Sequence, residues 1–176
     1  MDSEDLVGTW VAAYADRLVR LAYTYVRDQA TAEDRVQEAF IRAYHARHQL
    51  KNRADPFPWL ARIVINECRS FRRGSWREVV TADPPEQTRD SAEETVLSRA
   101  QDEALHQAIL SLPDKYRVPM VLYYFEGLAS RDVAHILGTS DATIRTRLNR
   151  GRDRLRRLLK EDEPYGTGIT RRETGV

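Results

Sequence analysis

Apolar residues recur at helical spacing along the N-terminal half of the chain. They form three stripes, in residues 6–27, in residues 31–48 and from Trp59 to about residue 74. Positions three and four residues apart lie on one face of a helix, so each stripe predicts a helix that packs on a common core. The pattern therefore predicts a bundle of three to four helices.

Capping and helix-breaking residues mark the ends of these helices. Thr31, with acidic residues soon after it, predicts the N-cap of the second helix, because a hydroxyl there accepts from free backbone N–H groups. Pro56 and Pro58 cannot continue a helix, so residues 49–58 predict a loop. We expect the third helix to end near Gly74.

A second helical unit is predicted in residues 100–160. Its first helix is indicated by Leu105, Ile109, Leu110 and Leu112. An apolar helix at residues 116–125, which Pro119 is expected to bend, follows, and then come a short helix at residues 130–137 and a long one from residue 141 to about residue 160, four helices in all. The turn between the last two reads Gly-Thr-Ser. Helix, short turn and helix in this order predict a helix-turn-helix.

The segment between the two units is polar and acidic. Residues 76–99 contain two adjacent prolines and more acidic than basic side chains, with little to bury, which predicts a flexible linker. The glycine-containing tail, residues 161–176, is predicted to be disordered. The predicted fold class is all-α, with two small helical domains, residues 1–75 and 100–160, joined by a flexible acidic linker.

Charge is segregated along the chain, although the total is nearly balanced. The 28 Lys and Arg residues and 27 Asp and Glu residues give a formal net charge of +1, which by itself does not indicate a nucleic-acid partner. Residues 141–160, however, carry eight basic residues and two acidic ones. The last helix of the helix-turn-helix therefore presents a concentrated positive surface.

Several function classes find no support in the residues. A single cysteine, Cys68, excludes an intramolecular disulfide and a cysteine zinc cluster, which suits a reducing cytosol. The four histidines lack ligand spacing, and no glycine-rich phosphate loop is present. No secretory signal or run of roughly 20 apolar residues is found. We expect a soluble, cytoplasmic protein that is not an enzyme and needs no cofactor or metal.

The outward face of the last helix carries candidates for DNA contact. An arginine in the major groove can pair bidentately with guanine, and amide and hydroxyl groups can also reach base edges. The candidate base-reading residues are Arg145, Thr146, Asn149 and Arg150, and the candidate phosphate contacts are Arg147, Arg152 and Arg154. From these residues alone, a solvated basic face on a surface helix stays open as the alternative.

Two longer stretches give a more specific prediction. AEDRVQEAFIRAY at residues 32–44, followed by WLARIVINECRSFRR at residues 59–73, resembles region two of extracytoplasmic-function sigma factors of the sigma-70 family. LPDKYRVPMVLYYFEGLASRDVAHILGTSDATIRTRLNRGRDRLRRLL at residues 112–159 resembles their region four. The resemblance implies a subunit that binds core RNA polymerase, melts the minus-ten promoter element with region two and reads the minus-thirty-five element with region four.

The resemblance also implies roles for individual residues. Those expected to dock on the polymerase beta-prime clamp helices are Asp34, Gln37 and Glu38. Those expected to contact minus-ten DNA are Asn52, Arg62, Asn66, Arg69, Arg72 and Arg73. Those expected to contact minus-thirty-five DNA are Thr143, Arg145, Thr146, Arg147, Asn149 and Arg150. The implied partners are core polymerase, through the clamp helices and the beta flap, promoter DNA and an anti-sigma factor, without membrane insertion.

The chain departs from the family pattern at a few positions. Pro56 and Pro58 stand in the predicted loop where the family commonly has an aromatic and a small polar residue. Gly151 replaces a common alanine in the last helix, and we expect only a small local effect. Two other function classes stay open: a stand-alone helix-turn-helix regulator with a sensing or dimerising N-terminal domain, and an adaptor built from two helical bundles.

Overall fold

The structure is a computed structural model that describes residues 3–78 and 96–161. The described residues form seven α-helices and no strand, which confirms the all-α prediction. In chain order the helices are α1 (Ser3–Val26), α2 (Gln29–Ala46), α3 (Phe57–Glu78), α4 (Val96–Ser111), α5 (Asp114–Met120), α6 (Ser130–Leu137) and α7 (Asp141–Glu161). Most of the predicted linker and almost all of the predicted tail lie outside the described residues.

Helices α1, α2 and α3 pack against one another around a continuous apolar core. Leu18, Leu21, Phe57, Leu60 and Ile65 are all at most 2% exposed. Burying one such side chain contributes about 1.5–3 kcal/mol, so the apolar stripes account for most of the stabilisation of this bundle. We call these three helices the N-terminal unit.

The start of α2 differs from the prediction. Its N-cap is Asp28, whose carboxylate accepts a hydrogen bond from the backbone N–H of Thr31 at 2.8 Å and from the Thr31 hydroxyl at 2.7 Å. The prediction that Thr31 itself is the N-cap is therefore wrong. Arg27, with φ of 60°, makes the sharp change of direction that ends α1 just before this cap.

Helix α3 also exceeds its predicted limits at both ends. It begins at Phe57, where Pro58 falls in the first turn and its missing N–H costs no helical hydrogen bond. At the other end it passes through Gly74 to Glu78, so the expected end near Gly74 is wrong. A helical glycine costs about 1 kcal/mol relative to alanine, which weakens a helix without breaking it.

Helices α4 to α7 form the C-terminal unit, in which α6 and α7 make a helix-turn-helix. Gly138, with φ of 67°, ends α6 in the left-handed conformation that favours glycine. The N–H of Thr139 then donates to the carbonyl of Ala134 at 3.0 Å. Ser140 accepts from the N–H of Thr143 at 3.2 Å at the start of α7. The helix-turn-helix prediction is confirmed.

Pro119 is followed by a change in helix type. Proline has no N–H to donate, and directly after it α5 passes into a π-helical turn, Val121–Phe125. The N–H of Glu126 donates to the carbonyl of Val121 at 3.1 Å, five residues back. Gly127, with φ of 68°, then turns the chain toward α6. The irregularity predicted at Pro119 is thus a wider turn of helix.

Two special contacts stabilise the C-terminal unit. The buried guanidinium of Arg117 donates to the carbonyls of Leu110 and Leu112 at 2.8 and 2.6 Å and to Asp114. Burial lowers the pKa of this guanidinium. In α7, a Cβ added to Gly151 would lie 2.6 Å from the sulfur of Met120. Gly151 therefore lets α7 approach α5 closely. The sequence predicted only a small local effect at Gly151 and did not predict this contact between helices.

The two units contact each other through α1, α3, α5 and α6. Among the residues that the structure describes, two ion pairs join them. Arg17 of α1 lies 2.8 Å from Glu126, whose side chain is 5% exposed, and Arg72 of α3 pairs with Asp114 of α5. The guanidinium of Arg17 also lies 3.8 Å from the ring centroid of Phe57. The described arrangement is therefore closed, with α3 beside the helix-turn-helix.

Candidate nucleic-acid interface

A polar stripe runs along the solvent side of α3. Arg62, Asn66, Arg69 and Arg73 are spaced by four, three and four residues, which places them on one helical face. Arg62, Asn66 and Arg73 are exposed and Arg69 is half-buried. We call these four residues the α3 stripe. Three guanidinium groups around one amide form a surface that can bind a phosphate backbone and one base edge.

The other two predicted minus-ten residues lie elsewhere. Arg72 is displaced by about 100° from Arg73 around α3 and pairs with Asp114 of the C-terminal unit. The side-chain oxygen of Asn52 accepts from the backbone N–H groups of Ala54 at 3.1 Å and Asp55 at 3.3 Å. The structure thus brings together four of the six predicted residues, while Arg72 joins the units and Asn52 shapes the loop before α3.

Tyr25 is a neighbour of the α3 stripe that the sequence interpretation placed only in the core. Burial is the main cause that raises its pKa to about 12, and the nearby Arg69, a hydrogen-bonding partner of its hydroxyl, acts in the opposite direction. The neutral hydroxyl helps to hold Arg69 in place. No periodic signal in the sequence pairs these two residues, because they come from different helices.

The predicted polymerase-docking residues form one face of α2. Asp34, Gln37 and Glu38 are exposed and spaced by three and one residues, so they lie on adjacent turns of the same side. Ile41 continues this face and is 54% exposed, although it is apolar. The sequence interpretation missed Ile41, whose signal is an isoleucine on the polar side of an amphipathic helix. The face combines negative charge with an apolar contact point.

The predicted minus-thirty-five residues lie on α7 opposite its buried side. Ile144, Leu148 and Leu155 face the core of the C-terminal unit. On the other side, Arg145, Thr146, Asn149 and Arg150 are exposed, while Thr143 and Arg147 are half-buried. The structure therefore leaves the four candidate base-reading side chains accessible on one surface.

Several of these side chains are held by neighbours. Arg145 lies 3.0 Å from the carboxylate of Asp141, one turn earlier in α7. Arg152 donates to the hydroxyl of Tyr124 at 2.6 Å and to the amide oxygen of Asn149. Arg152 thereby orients Asn149 with its amide NH₂ group still free to donate. Tyr124, in the π-helical turn, was not predicted to take part.

Other chemistry has little support among the described residues. Cys68 is buried, and its burial raises the thiol pKa to about 12, so it packs as a small apolar side chain. Within residues 3–78 and 96–161, no group of histidine, cysteine and acidic side chains could hold a metal ion. No helix in those ranges is long and apolar enough to cross a membrane.

The fold and these faces define a two-unit helical protein with a helix-turn-helix, and comparisons with known proteins give its family. Residues 10–78 match the model of Sigma-70 region 2, and residues 102–155 match that of Sigma-70, region 4. The two matches cover most of the N-terminal unit and most of the C-terminal unit. The first match disfavours a stand-alone regulator, whose N-terminal half would have no reason to resemble region 2.

Bacterial relatives match over most of the chain. The extracytoplasmic-function sigma factor SigW of Bacillus subtilis is 31% identical over 90% of this chain and 91% of its own length. The sigma-H factor of Pseudomonas aeruginosa is 30% identical over 85% and 84%. A probable sigma factor, RfaY of Xanthomonas campestris, is 33% identical, but the chain spans only 42% of its length. This chain belongs to the extracytoplasmic-function sigma factors, a family whose members are not enzymes.

Solved structures agree with this membership. The sigma factor RpoE of Bartonella quintana, in complex with the anti-sigma factor NepR, has a TM-score of 0.73 and 25% identity over 88% of this chain and 97% of that one. CnrH, in complex with the cytosolic domain of CnrY, has a TM-score of 0.64 and 24% identity over 89% and 88%, which shows the fold.

Proposed function

We propose that this protein binds core RNA polymerase in the cytosol and directs it to promoters through two separate DNA-contacting surfaces. The observation that carries the proposal is the presence of the α3 stripe on one unit and the exposed face of α7 on the other. Residues 1–75 would melt the minus-ten element, residues 100–160 would read the minus-thirty-five element, and residues 76–99 would connect them. Catalysis belongs to the polymerase.

The α3 stripe suits a single DNA strand. The arginines Arg62, Arg69 and Arg73 lie along one line and can follow successive phosphates. Asn66 stands among them with an amide that can both donate to and accept from the edge of an unstacked base. Capturing such a base compensates for the unstacking that melting requires. We therefore assign this stripe to the opened minus-ten strand.

The exposed face of α7 suits duplex DNA. A recognition helix places its first turns in the major groove, where Arg145 and Arg150 can pair with guanine. Asn149, oriented by Arg152, presents its amide to the same groove. Thr143 and Arg147 lie at the edge of this face and are assigned to the backbone. Side chains already ordered by neighbours lose less entropy on binding.

The α2 face suits a protein partner. Asp34 and Glu38 carry negative charge that favours a basic surface, and Ile41 offers an apolar anchor between polar neighbours. We assign this face to the clamp helices of the beta-prime subunit, and the C-terminal unit to the beta flap. We further propose an anti-sigma factor as a partner, as in the Bartonella complex with NepR.

Run-off transcription tests the proposal. Purified bacterial core polymerase and genomic template fragments are combined with the protein, and discrete transcripts are expected. The Arg145→Ala, Arg150→Ala variant should abolish them. A matched control, Arg156→Ala with Arg157→Ala, removes two exposed arginines farther along α7 and should retain most activity. Absence of initiation with several polymerases, together with sequence-specific duplex binding by the protein alone, would contradict the proposal.

A further inference from the structure

A basic cleft lies between the two units in the closed arrangement. Its volume is about 700 Å³. The charged side chains that line it are Arg69, Arg72 and Arg73 of α3, Asp114 and Lys115 of α5, and Arg147 of α7. The remaining lining includes an apolar wall formed by Val118, Pro119 and Leu137. The cleft thus combines five cationic groups, one carboxylate and an apolar surface.

The single carboxylate is already engaged. Asp114 accepts from Arg72 across the cleft and also from the buried Arg117 of its own helix. Within the ranges that the structure describes, Arg73 and Arg147 make no ion pair. Lys115 contacts Tyr116, with its ammonium 5.1 Å from the ring centroid and a hydrogen bond to the hydroxyl, and makes no ion pair among the described residues. Positive charge in the cleft therefore exceeds negative charge.

Closing the two units brings like charges toward each other. Arg73 comes from the N-terminal unit, whereas Lys115 and Arg147 come from the C-terminal unit. Their repulsion opposes closure, and a partly enclosed cleft screens it less than open solvent would. A multivalent anion between them would turn this repulsion into attraction. Guanidinium groups are well suited to phosphate, because they present several N–H donors in one plane.

We propose that this cleft binds the phosphate chain of a small polyphosphate and that the bound ligand holds the two units closed. A cavity of this size fits a nucleotide-sized molecule, whereas duplex DNA is too wide to enter it. The phosphates lie among Arg69, Arg73, Lys115 and Arg147. If the ligand is a nucleoside polyphosphate, its base contacts the wall formed by Val118, Pro119 and Leu137.

Closure by such a ligand would regulate DNA binding, a consequence that rests on the proposed function. Arg69 and Arg73 belong to the α3 stripe, and Arg147 lies at the edge of the α7 face. A ligand that binds only the closed form shifts the population toward it. Because the ligand uses arginines that promoter DNA would also contact, the ligand and the DNA weaken each other's binding. The cleft would therefore couple a small phosphate compound to the availability of both DNA surfaces.

Calorimetric titration of the purified full chain tests binding directly. Sodium tripolyphosphate at constant ionic strength should bind saturably, with one ligand per chain. The Arg73→Gln, Arg147→Gln variant should weaken binding by about tenfold or more, since it removes one cation from each side of the cleft. The Arg156→Gln, Arg157→Gln variant, with the same loss of charge outside the cleft, should bind as the unaltered protein does.

Non-saturable binding, or equal weakening in both variants, would overturn the site, because either result indicates general attraction to a basic surface. A parallel titration with guanosine triphosphate distinguishes the two ligand sources. Tighter binding than that of tripolyphosphate would support a contact between the base and the apolar wall. Equal binding would support a site that recognises only the phosphate chain.

Small-angle X-ray scattering tests closure. Saturating tripolyphosphate should reduce the radius of gyration of the unaltered protein and leave that of the Arg73→Gln, Arg147→Gln variant unchanged. Saturable binding without any compaction would overturn the claim that the ligand holds the units together. Neither DNA nor polymerase is present in these experiments, so their failure is distinct from a failure of the transcription assay.

Discussion

The two units of this protein reach stability in different ways. The N-terminal unit relies on three uninterrupted apolar stripes, and its largest buried side chains, such as Leu18 and Phe57, are apolar. The C-terminal unit also buries large apolar side chains, such as Leu122 and Ile144, and adds two particular contacts: a buried guanidinium at Arg117 and a close helix approach at Gly151. One bundle therefore follows from a repeated apolar pattern alone, whereas the other also depends on contacts made by single residues.

The two DNA-facing surfaces differ in a similar way. The side chains of the α3 stripe are ordered mainly by their spacing along one helix, although Arg69 also has Tyr25 beside it. On α7, Asp141 holds Arg145, and Arg152 holds Asn149. Reading base edges needs fixed donors and acceptors, whereas following a flexible strand needs a line of charge. The difference between the surfaces thus matches the difference between the two proposed tasks.

The largest effect is expected at Arg117. Arg117→Met removes the donor for two buried carbonyls and for Asp114, and should lower the free energy of unfolding by about 3 kcal/mol. All three tryptophans precede residue 79, so their fluorescence reports on the N-terminal half, while circular dichroism reports on all helices. In this variant, the dichroism transition should therefore occur at a clearly lower denaturant concentration than the fluorescence transition.

Leu21→Ala provides the matched change in the other unit. Leu21 is fully buried, and loss of its side chain should cost about 3 kcal/mol, with a clear shift of the fluorescence transition. If Arg117→Met moves both transitions equally, the units unfold together and the contrast between them is wrong. If Arg117→Met moves neither, the buried guanidinium is not an essential contact.

The next largest effect is expected on the affinity for polymerase, from changes to the face of α2 that is proposed to bind it. Reversing two charges with Asp34→Lys and Glu38→Lys should weaken binding to core polymerase by about tenfold or more, because like charges would face each other. Binding is measured by fluorescence anisotropy of labelled protein. Glu103→Lys, an exposed reversal on α4, is the control and should bind normally. Equal loss in the control would argue against a defined docking face.

A smaller effect is expected at the helix contact within the C-terminal unit. Gly151→Ala gains about 1 kcal/mol in helix propensity, but its methyl group meets Met120 and overpacking costs 1–3 kcal/mol, so we expect a net loss of about 1 kcal/mol. In a Met120→Ala background the same substitution should stabilise the protein. Chemical denaturation of the unaltered protein, the two single variants and the double variant gives a double-mutant cycle. Additive changes in the free energy of unfolding would contradict the close contact.

The smallest effect is expected at the cap of α2. The bonds that Thr31 donates lower the pKa of Asp28, so its ionised form stabilises the folded state. This stabilisation is present above the unfolded-state pKa of about 3.9 and is lost as the pH falls through the lower folded-state value. Asp28→Ala should be less stable than the unaltered protein at neutral pH, as measured by denaturation midpoints, and the gap should shrink in acid.

Asp28→Asn separates the cap from its charge. Asparagine caps helices about as well as aspartate, but it does not titrate. This variant should therefore be more stable than Asp28→Ala at neutral pH, and the stability difference between these two variants should vary little with pH. A gap between the unaltered protein and Asp28→Ala that stays constant down to the acid limit would show that the carboxylate contributes nothing as an ion.

The sequence predicts those features of the fold that follow from a regular pattern of residues within one segment of the chain. Regular apolar spacing predicted all three N-terminal helices, and the turn at Gly138 between two amphipathic helices predicted the helix-turn-helix. The ends of the helices were harder to predict. Thr31 and Asp28 can both cap a helix, and only the three-dimensional path of the backbone decides that Asp28 is the N-cap. Gly74 was predicted to end α3, but one helical glycine costs so little stability that the helix continues to Glu78.

Contacts between distant segments could not be predicted in this way. Arg72 looks like its neighbours in a run of basic residues, but its position around α3 turns it toward Asp114, 42 residues away in the chain. The pairing of Tyr124 with Arg152 spans 28 residues and depends on the π-helical turn after Pro119. Local patterns give the helices and the exposed candidates, whereas the packing of helices decides which side chains stay free.

Initiation on duplex and premelted templates tests the division of tasks most directly. Single-round transcription is compared on one promoter, either fully paired or with an unpaired bubble at the minus-ten element. The Arg62→Ala, Asn66→Ala variant should fail on the duplex and recover on the bubble, because melting is then no longer needed. The Arg145→Ala, Arg150→Ala variant should fail on both. Recovery of the second variant and not the first would contradict the assignment of melting to α3 and duplex reading to α7.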